Sequence, residues 1–302
     1  VKQLVVENGR VTGVAIEKSN AQWRIGARCG VLLNAGGFAR NQRMLDSYIP
    51  GTSTEWSNTA QGDTGEMIEE GLRIGAAIAQ MDERIGSPMA LPPGDPPVKP
   101  GMQGDMSKPH TIVVDQSGER YMRESCSYMD IARAMRERDR LSPAVPSWMV
   151  LDSQYMDTYM LAGTMPGAKK PKPWFEEQFL RRGDTLDELA TACSMDPAKL
   201  RNSVERFNRF VRKGWDEDFH RGEHAYDQWL GDSLHQPSPT LGSIEKAPFF
   251  ALPVYPGDVS TFGGLVTDVH ARVLREDGSA IPGLYATGTS TASVMGRGSP
   301  GA

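Results

Sequence analysis

The alternation of apolar and polar positions sorts the chain into strand-rich ends and a mixed middle. The opening segment Val1 to Ile16 alternates on both sides of Asn8-Gly9, a dipeptide that favours the tight turn of a hairpin, so two antiparallel strands are expected there. From Gly30 a short apolar strand runs into Asn34-Ala35-Gly36-Gly37-Phe38, and Gln42 to Tyr48 reads as a helix. Met67, Ile68, Ile74 and Ile78 recur at helical spacing, which predicts one amphipathic helix across Gln61 to Ala79 with Asp63 in its first turn. Gly71 and Gly75, four apart, lower its propensity and permit close packing on a sheet.

The stretch Ser87 to Pro109 is dense in proline and glycine and is expected to be irregular, a crossing into a second domain. Beyond it the pattern predicts a hairpin at Ser117-Gly118, a helix from about Ser127 to Arg140, a strand at Ser147 to Asp152, and a helix near Leu186 to Ala192. A further helix over Pro197 to Lys213 places Leu200, Val204, Phe207 and Val211 on one face at steps of 4, 3 and 4. From Pro248 the pattern returns to strands. These lead to Gly263-Gly264, a hairpin closing on Asp277-Gly278, and a strand at Leu284 to Thr287 ending in Gly288. The expected organisation is therefore residues 1–87 as the first part of one domain, 88–250 as an inserted domain, and 251–302 as the return.

Composition narrows the classes. A length of 302 residues, 39% hydrophobic and 24% charged, is enough to bury a substantial core. A net charge of −5 leaves no basic footprint for nucleic acid, and no apolar run approaches the roughly 18 residues of a membrane span. The three cysteines, Cys29, Cys126 and Cys193, are odd in number and widely spaced, which argues against a disulfide framework and for a reducing, cytoplasmic setting. The five histidines show no metal-ligand pattern, so no metal is expected. His220 and His224, four apart, read as a polar surface turn. Lys169 to Pro173 reads as a solvated basic loop, and Asp216-Glu217-Asp218 as a solvated acidic run. The opening segment lacks the charged leader, apolar core and cleavage site of a signal peptide, and the chain reads as an internal piece of a longer protein.

The glycine-bearing strand ends acquire meaning from their order. A strand with Ala35-Gly36-Gly37, then Gly62-Asp63-Thr64-Gly65, then Thr261-Phe262-Gly263-Gly264-Leu265, and finally Gly283-Leu284-Tyr285-Ala286-Thr287-Gly288 resembles the flavoprotein family of 3-ketosteroid dehydrogenases and fumarate reductases. Phe207-Asn208, Asp216 to Phe219 and Arg221-Gly222 fall between them in the family's order. The resemblance covers essentially the whole chain. It implies an α/β (α+β) fold in which a partial, Rossmann-like FAD-binding domain is interrupted by an α+β catalytic cap. It also implies FAD as cofactor, with Ala35, Gly36 and Gly37 near its adenine half, Asp63 near the junction, Gly264 beside it, and Gly288 and Thr289 near its ribityl chain. The family usually has Glu or Asn where Thr289 stands. The family's Gly-x-Gly-x-x-Gly phosphate turn does not precede Ala35, so it is expected upstream of Val1.

The branches of the family differ at the active site. Fumarate reductases place His two residues before the Thr of the Thr-x-Gly-Gly motif, where this chain has Val259. The steroid branch has Glu-x-x-x-Tyr, matched by Glu124-Ser125-Cys126-Ser127-Tyr128, so Tyr128 is the implied catalytic base. Ser127 to Asp130 resembles a capping box, which puts Tyr128 in a first helical turn, where the macrodipole and free N–H groups favour an anion. The branch's second Tyr, in Tyr-Pro-Gly, is Ser299 here, a shorter hydroxyl for holding the substrate's carbonyl oxygen. The implied activity is FAD-dependent dehydrogenation of a hydrophobic cyclic ketone such as a ketosteroid, with a separate electron acceptor. Reduction of an activated alkene and a non-catalytic truncated fragment are the alternatives. Met89, Met122, Met129, Trp148 and Phe250 are candidates to wall the substrate pocket.

Overall fold

The computed structural model describes residues 1–19, 21–94, 99–296 and 298. It divides into two compact units, one formed by Val1–Ile85 with Asp258–Ala302 and the other by Gly86–Gly257. Helices and strands are mixed, as the α/β reading requires. Both crossings occur inside strands, Arg84–Met89 outward and Phe249–Thr261 back.

In the first unit, Gln3–Glu7, Arg10–Lys18 and Ala21–Gly26 form an antiparallel meander. The key sheet has the order Arg272–Leu274, Ala280–Ala286, Val31–Leu33. Its last two strands are parallel, with Leu284, Tyr285 and Ala286 opposite Val31, Leu32 and Leu33. Both therefore end on the same edge of the sheet, one in Asn34 to Gly37 and the other in Thr287-Gly288. Leu4, Val11, Leu33, Phe38, Leu45, Ile68, Leu265 and Leu284 fill the core behind them.

The long helix expected across Gln61 to Ala79 is shorter, running only from Glu66 to Arg73. Gly65 at φ +77° starts it and Gly75 at φ +88° turns the chain away after it, conformations that side chains rarely adopt. Asp63 thus precedes the helix, and Ile78 belongs to a two-residue strand paired with Leu265. Leu265 also presses on Gly71, where an added Cβ would lie 2.5 Å from its Cδ2.

In the second unit a sheet of order Arg84–Met89, Phe249–Thr261, Ser147–Asp152, Thr111–Val114 gains Arg181–Gly183 against Phe249–Ala251. Its alternation separates two cores. Ile112, Val114, Val150, Phe249 and Ala251 pack with Leu189, Leu200, Val204 and Phe207 from helices Leu186–Ala192 and Pro197–Lys213. Val113, Met149, Leu151, Phe250 and Leu252 pack on the opposite side with Met102, Met106, Met122 and Met135. The stretch from Ser87 is less irregular than its composition suggests, because Ser87, Pro88 and Met89 complete the edge strand, where a proline costs no ladder bond.

Phe207 is fully buried at the centre of the first of these cores. Phe207→Ala should destabilise the protein by roughly 3–5 kcal/mol, read as a lower urea midpoint at unchanged slope.

Candidate functional site

Each unit carries a candidate half-site, and each follows from a local constraint. In the first, the two parallel strand ends are stapled by Ser290, whose buried hydroxyl accepts from the Ala35 N–H at 2.9 Å and donates to the Gly36 carbonyl at 3.0 Å. The Gly37 N–H donates to Asp63 Oδ1 at 3.2 Å and the Phe38 N–H to Thr261 Oγ1 at 3.3 Å. Burial pushes the Asp63 carboxyl up from its usual value, against the opposing pull of the Gly37 N–H and the Arg40 guanidinium.

The structure therefore brings Ala35, Gly36, Gly37, Asp63, Gly264, Gly288 and Thr289 together within this unit. The glycines there serve the protein's own contacts first. At Gly36, φ +84°, a Cβ would lie 1.9 Å from Asp63 Oδ1; at Gly288, φ +62°, it would lie 2.8 Å from Asn34 Oδ1. Gly264 is buried against the backbone of Ser290 and Thr291, and Thr289 stands in the short 3₁₀ turn Gly288–Ser290. What remains is a ledge of exposed backbone at Asn34, Ala35, Thr287 and Gly288. It lies at the carboxyl ends of parallel strands, where nucleotides bind in α/β folds. Small side chains on the ledge and the Asp63 carboxylate at its base fit one side of a flavin nucleotide. Ser290 was not distinguishable in sequence, since it does not differ in type from its hydroxyl-bearing neighbours, whereas Thr261 stands in the Thr-x-Gly-Gly motif.

In the second unit Tyr128 is the first residue of the helix Tyr128–Asp139 and is half-buried. Ser127 is its N-cap, but the expected capping box does not form, because the serine side chain makes no capping bond and Asp130 pairs with Arg133 at 3.2 Å. Tyr121, Tyr155, Tyr159 and Tyr226 spend their hydroxyls on protein partners. Among the described residues the Tyr128 hydroxyl has none. Ser299 lies outside the described residues.

The helix start is anchored by an ion cluster that the sequence did not reveal. Arg120 pairs with Glu124 at 2.8 Å and with Asp216 at 2.7 Å, and Arg221 pairs with Glu124 at 3.1 Å. Glu124 also accepts the Val113 N–H, and Arg221 donates to the carbonyls of Thr111, Met106 and Lys108. Phe207 lies beneath both guanidiniums at 5.0 and 5.6 Å. Burial would raise the Glu124 carboxyl, but Arg120 and Arg221 outweigh it and hold it below the usual range; Asp216 is lowered in the same way, chiefly by Arg120. The acidic run is thus not wholly solvated. Asp216 is fully buried, whereas Asp218 reaches the surface pair with Arg206.

Two other readings change. Lys170 in the basic stretch is 6% exposed and donates to the Met165 carbonyl, and Lys172–Glu176 forms a short helix. Met89, Met122, Met129 and Phe250 are core residues, while Trp148 also lines a cavity. Cys29, Cys126 and Cys193 are all free thiols. Among the described residues no helix is long and apolar enough to cross a membrane, and no cluster of potential metal ligands occurs.

A nucleotide-type α/β unit interrupted by a second, mixed unit defines the class as a flavoprotein of the inserted-domain kind. The chain belongs to the FAD binding domain family, whose pattern matches residues 1–302, and FAD is its cofactor. It is 38% identical to the 3-oxosteroid 1-dehydrogenase of Mycolicibacterium smegmatis over 99% of this chain and 54% of that protein. The 4-oxocyclohexanecarboxylate 2-dehydrogenase of Sinomonas cyclohexanicum is 36% identical over 98% of this chain and 51% of its own. The crystal structure of 3-ketosteroid delta1-dehydrogenase from Sterolibacterium denitrificans in complex with 1,4-androstadiene-3,17-dione superposes with a TM-score of 0.94 at 37% identity, covering 98% of this chain and 54% of that one. The chain spans about half the length of these relatives.

Glu124→Gln removes one charge of a buried set and leaves two guanidiniums under-compensated, so a loss of about 3–5 kcal/mol is expected in urea unfolding. Asp105 should make stability pH-dependent. Burial pushes its carboxyl up to about 7, against the Ala162 N–H, Lys108 and Lys170. The native state then holds a proton that the unfolded chain has released, so stability falls as pH rises from about 4 to 7, by up to about 1.4 kcal/mol per unit. Urea midpoints at pH 5 and 7.5 should differ in the parent and converge in Asp105→Asn.

Proposed function

We propose that this chain forms the greater part of the flavin-facing and catalytic machinery of a FAD-dependent dehydrogenase acting on a hydrophobic cyclic ketone, with a 3-ketosteroid as the preferred substrate class. The observation that carries the reading is Tyr128, a half-buried tyrosine with an unspent hydroxyl at a helix N-terminus, four residues from a buried glutamate. The named activities of the relatives support it, since both are oxidations of a cyclic ketone or its carboxylated analogue.

Tyr128, in its ionised form, takes the proton from the carbon alpha to the ketone and becomes a neutral phenol, while the electron pair of the broken C–H bond passes toward the ketone oxygen. The Ser299 hydroxyl donates to the ketone oxygen as negative charge gathers there, and Pro300 after it has no N–H to add. FAD, when bound, supplies the acceptor for the hydride lost by the neighbouring carbon. An electron acceptor outside this chain completes turnover. Val259, 44% exposed, offers no charge for a dicarboxylate where fumarate reductases use histidine, which favours the ketone over fumarate.

In the full-length, flavin-loaded protein, Tyr128→Phe should lower ketosteroid-dependent dye reduction by at least about 100-fold and leave the flavin absorbance intact. Turnover at the parent rate would remove Tyr128 from the mechanism, and oxidation of a reduced dye by fumarate faster than by an enone would redirect the substrate class.

A further inference from the structure

The second unit contains a cavity of about 420 Å³ whose lining includes Trp148, one of the candidate pocket walls, but neither Tyr128 nor any residue of the flavin ledge. Its floor is the sheet itself. Trp148 and Pro253 are register partners on adjacent strands, and Tyr255 lies two residues further along the same face. Phe179 closes one side, and Glu177 and Arg181 complete the polar part of the lining. The volume falls within the range of small-molecule sites, roughly 300–1,000 Å³.

Arg181 gives the cavity its chemistry. Its guanidinium lies 5.9 Å from the centre of the Trp148 ring and spends Nη1 on the Gln178 side chain. Its Nε is enclosed by protein atoms, while no acceptor among the described residues takes Nη2. The planar fork of a guanidinium matches a carboxylate. Stacking on Trp148 holds that fork in place, so little side-chain freedom would be lost on binding. Glu177 in the lining disfavours a second negative charge.

We propose that this cavity is a binding site for a small monocarboxylate with an aromatic or alicyclic body. The carboxylate meets Nη2 of Arg181, and the apolar body lies on Trp148, Pro253 and Phe179. Neither Tyr128 nor the flavin ledge takes part, so the site is independent of the proposed dehydrogenation.

Calorimetric titration of the full-length, FAD-loaded protein with benzoate, benzyl alcohol and terephthalate tests this. Benzoate should bind at least tenfold more tightly than its neutral counterpart, and terephthalate more weakly than benzoate. Arg181→Gln should erase the preference for benzoate over the alcohol, with Arg181→Lys intermediate because charge survives without the fork. Equal affinities for benzoate and benzyl alcohol in the parent, or benzoate binding unchanged in Arg181→Gln, would overturn the assignment. Should Arg181→Gln fail to fold, the comparison of probes on the parent protein still decides it.

Discussion

The pairing of Arg120, Glu124, Asp216 and Arg221 inside the second unit is the constraint on which the rest of that unit depends. Four buried charges are tolerable only when each finds its opposite and the remaining donors and acceptors are occupied. Here the two guanidiniums and two carboxylates cancel, and peptide groups from Met106, Lys108, Thr111 and Val113 take up most of the surplus bonding capacity. The geometry binds a strand, the middle of the long helix Pro197–Lys213 through Phe207, and the loop holding Arg221 into one body. Glu124 lies four residues before Tyr128, so the ion pairs fix the chain just ahead of the tyrosine's helix, whose N-cap Ser127 makes no side-chain bond.

The first unit depends on a different economy of space. Two parallel strands from opposite ends of the chain finish side by side, and Ser290 bridges their last peptide groups. Such close approach leaves no volume for side chains at Gly36 or Gly288, where the nearest atoms belong to Asp63 and Asn34. The ledge available to a nucleotide is thus a consequence of packing: the same absence of side chains that lets the strand ends close also leaves their outer backbone open.

Periodicity located most elements well. The helix Pro197–Lys213 and the strand Ser147–Asp152 have the bounds their apolar spacing predicts, since each buries one stripe or one face. Glycine placement was harder to read. The apolar series from Met67 to Ile78 continues through Gly75, yet the backbone turns there and sends Ile78 into a strand. In the candidate sites, Tyr128 and the glycine motifs stood out because their order along the chain resembles a family. Arg181 and Ser290 did not, because an arginine at the start of a short strand and a serine among other hydroxyls carry no local signal.

The sequence by itself determined most of the element pattern and the family, which depend on residue type and spacing over short windows or on motif order. Only the tertiary structure decided the burial of Asp216, which in a run of three acids looks solvated until Arg120, 96 residues earlier, is brought to 2.7 Å. It likewise decided that Lys170 is covered and that Arg181 lines a cavity. The physical reason is common to all three. Whether a charge is solvated or paired depends on what the fold places against it, and long-range pairing leaves no trace in the neighbouring residues.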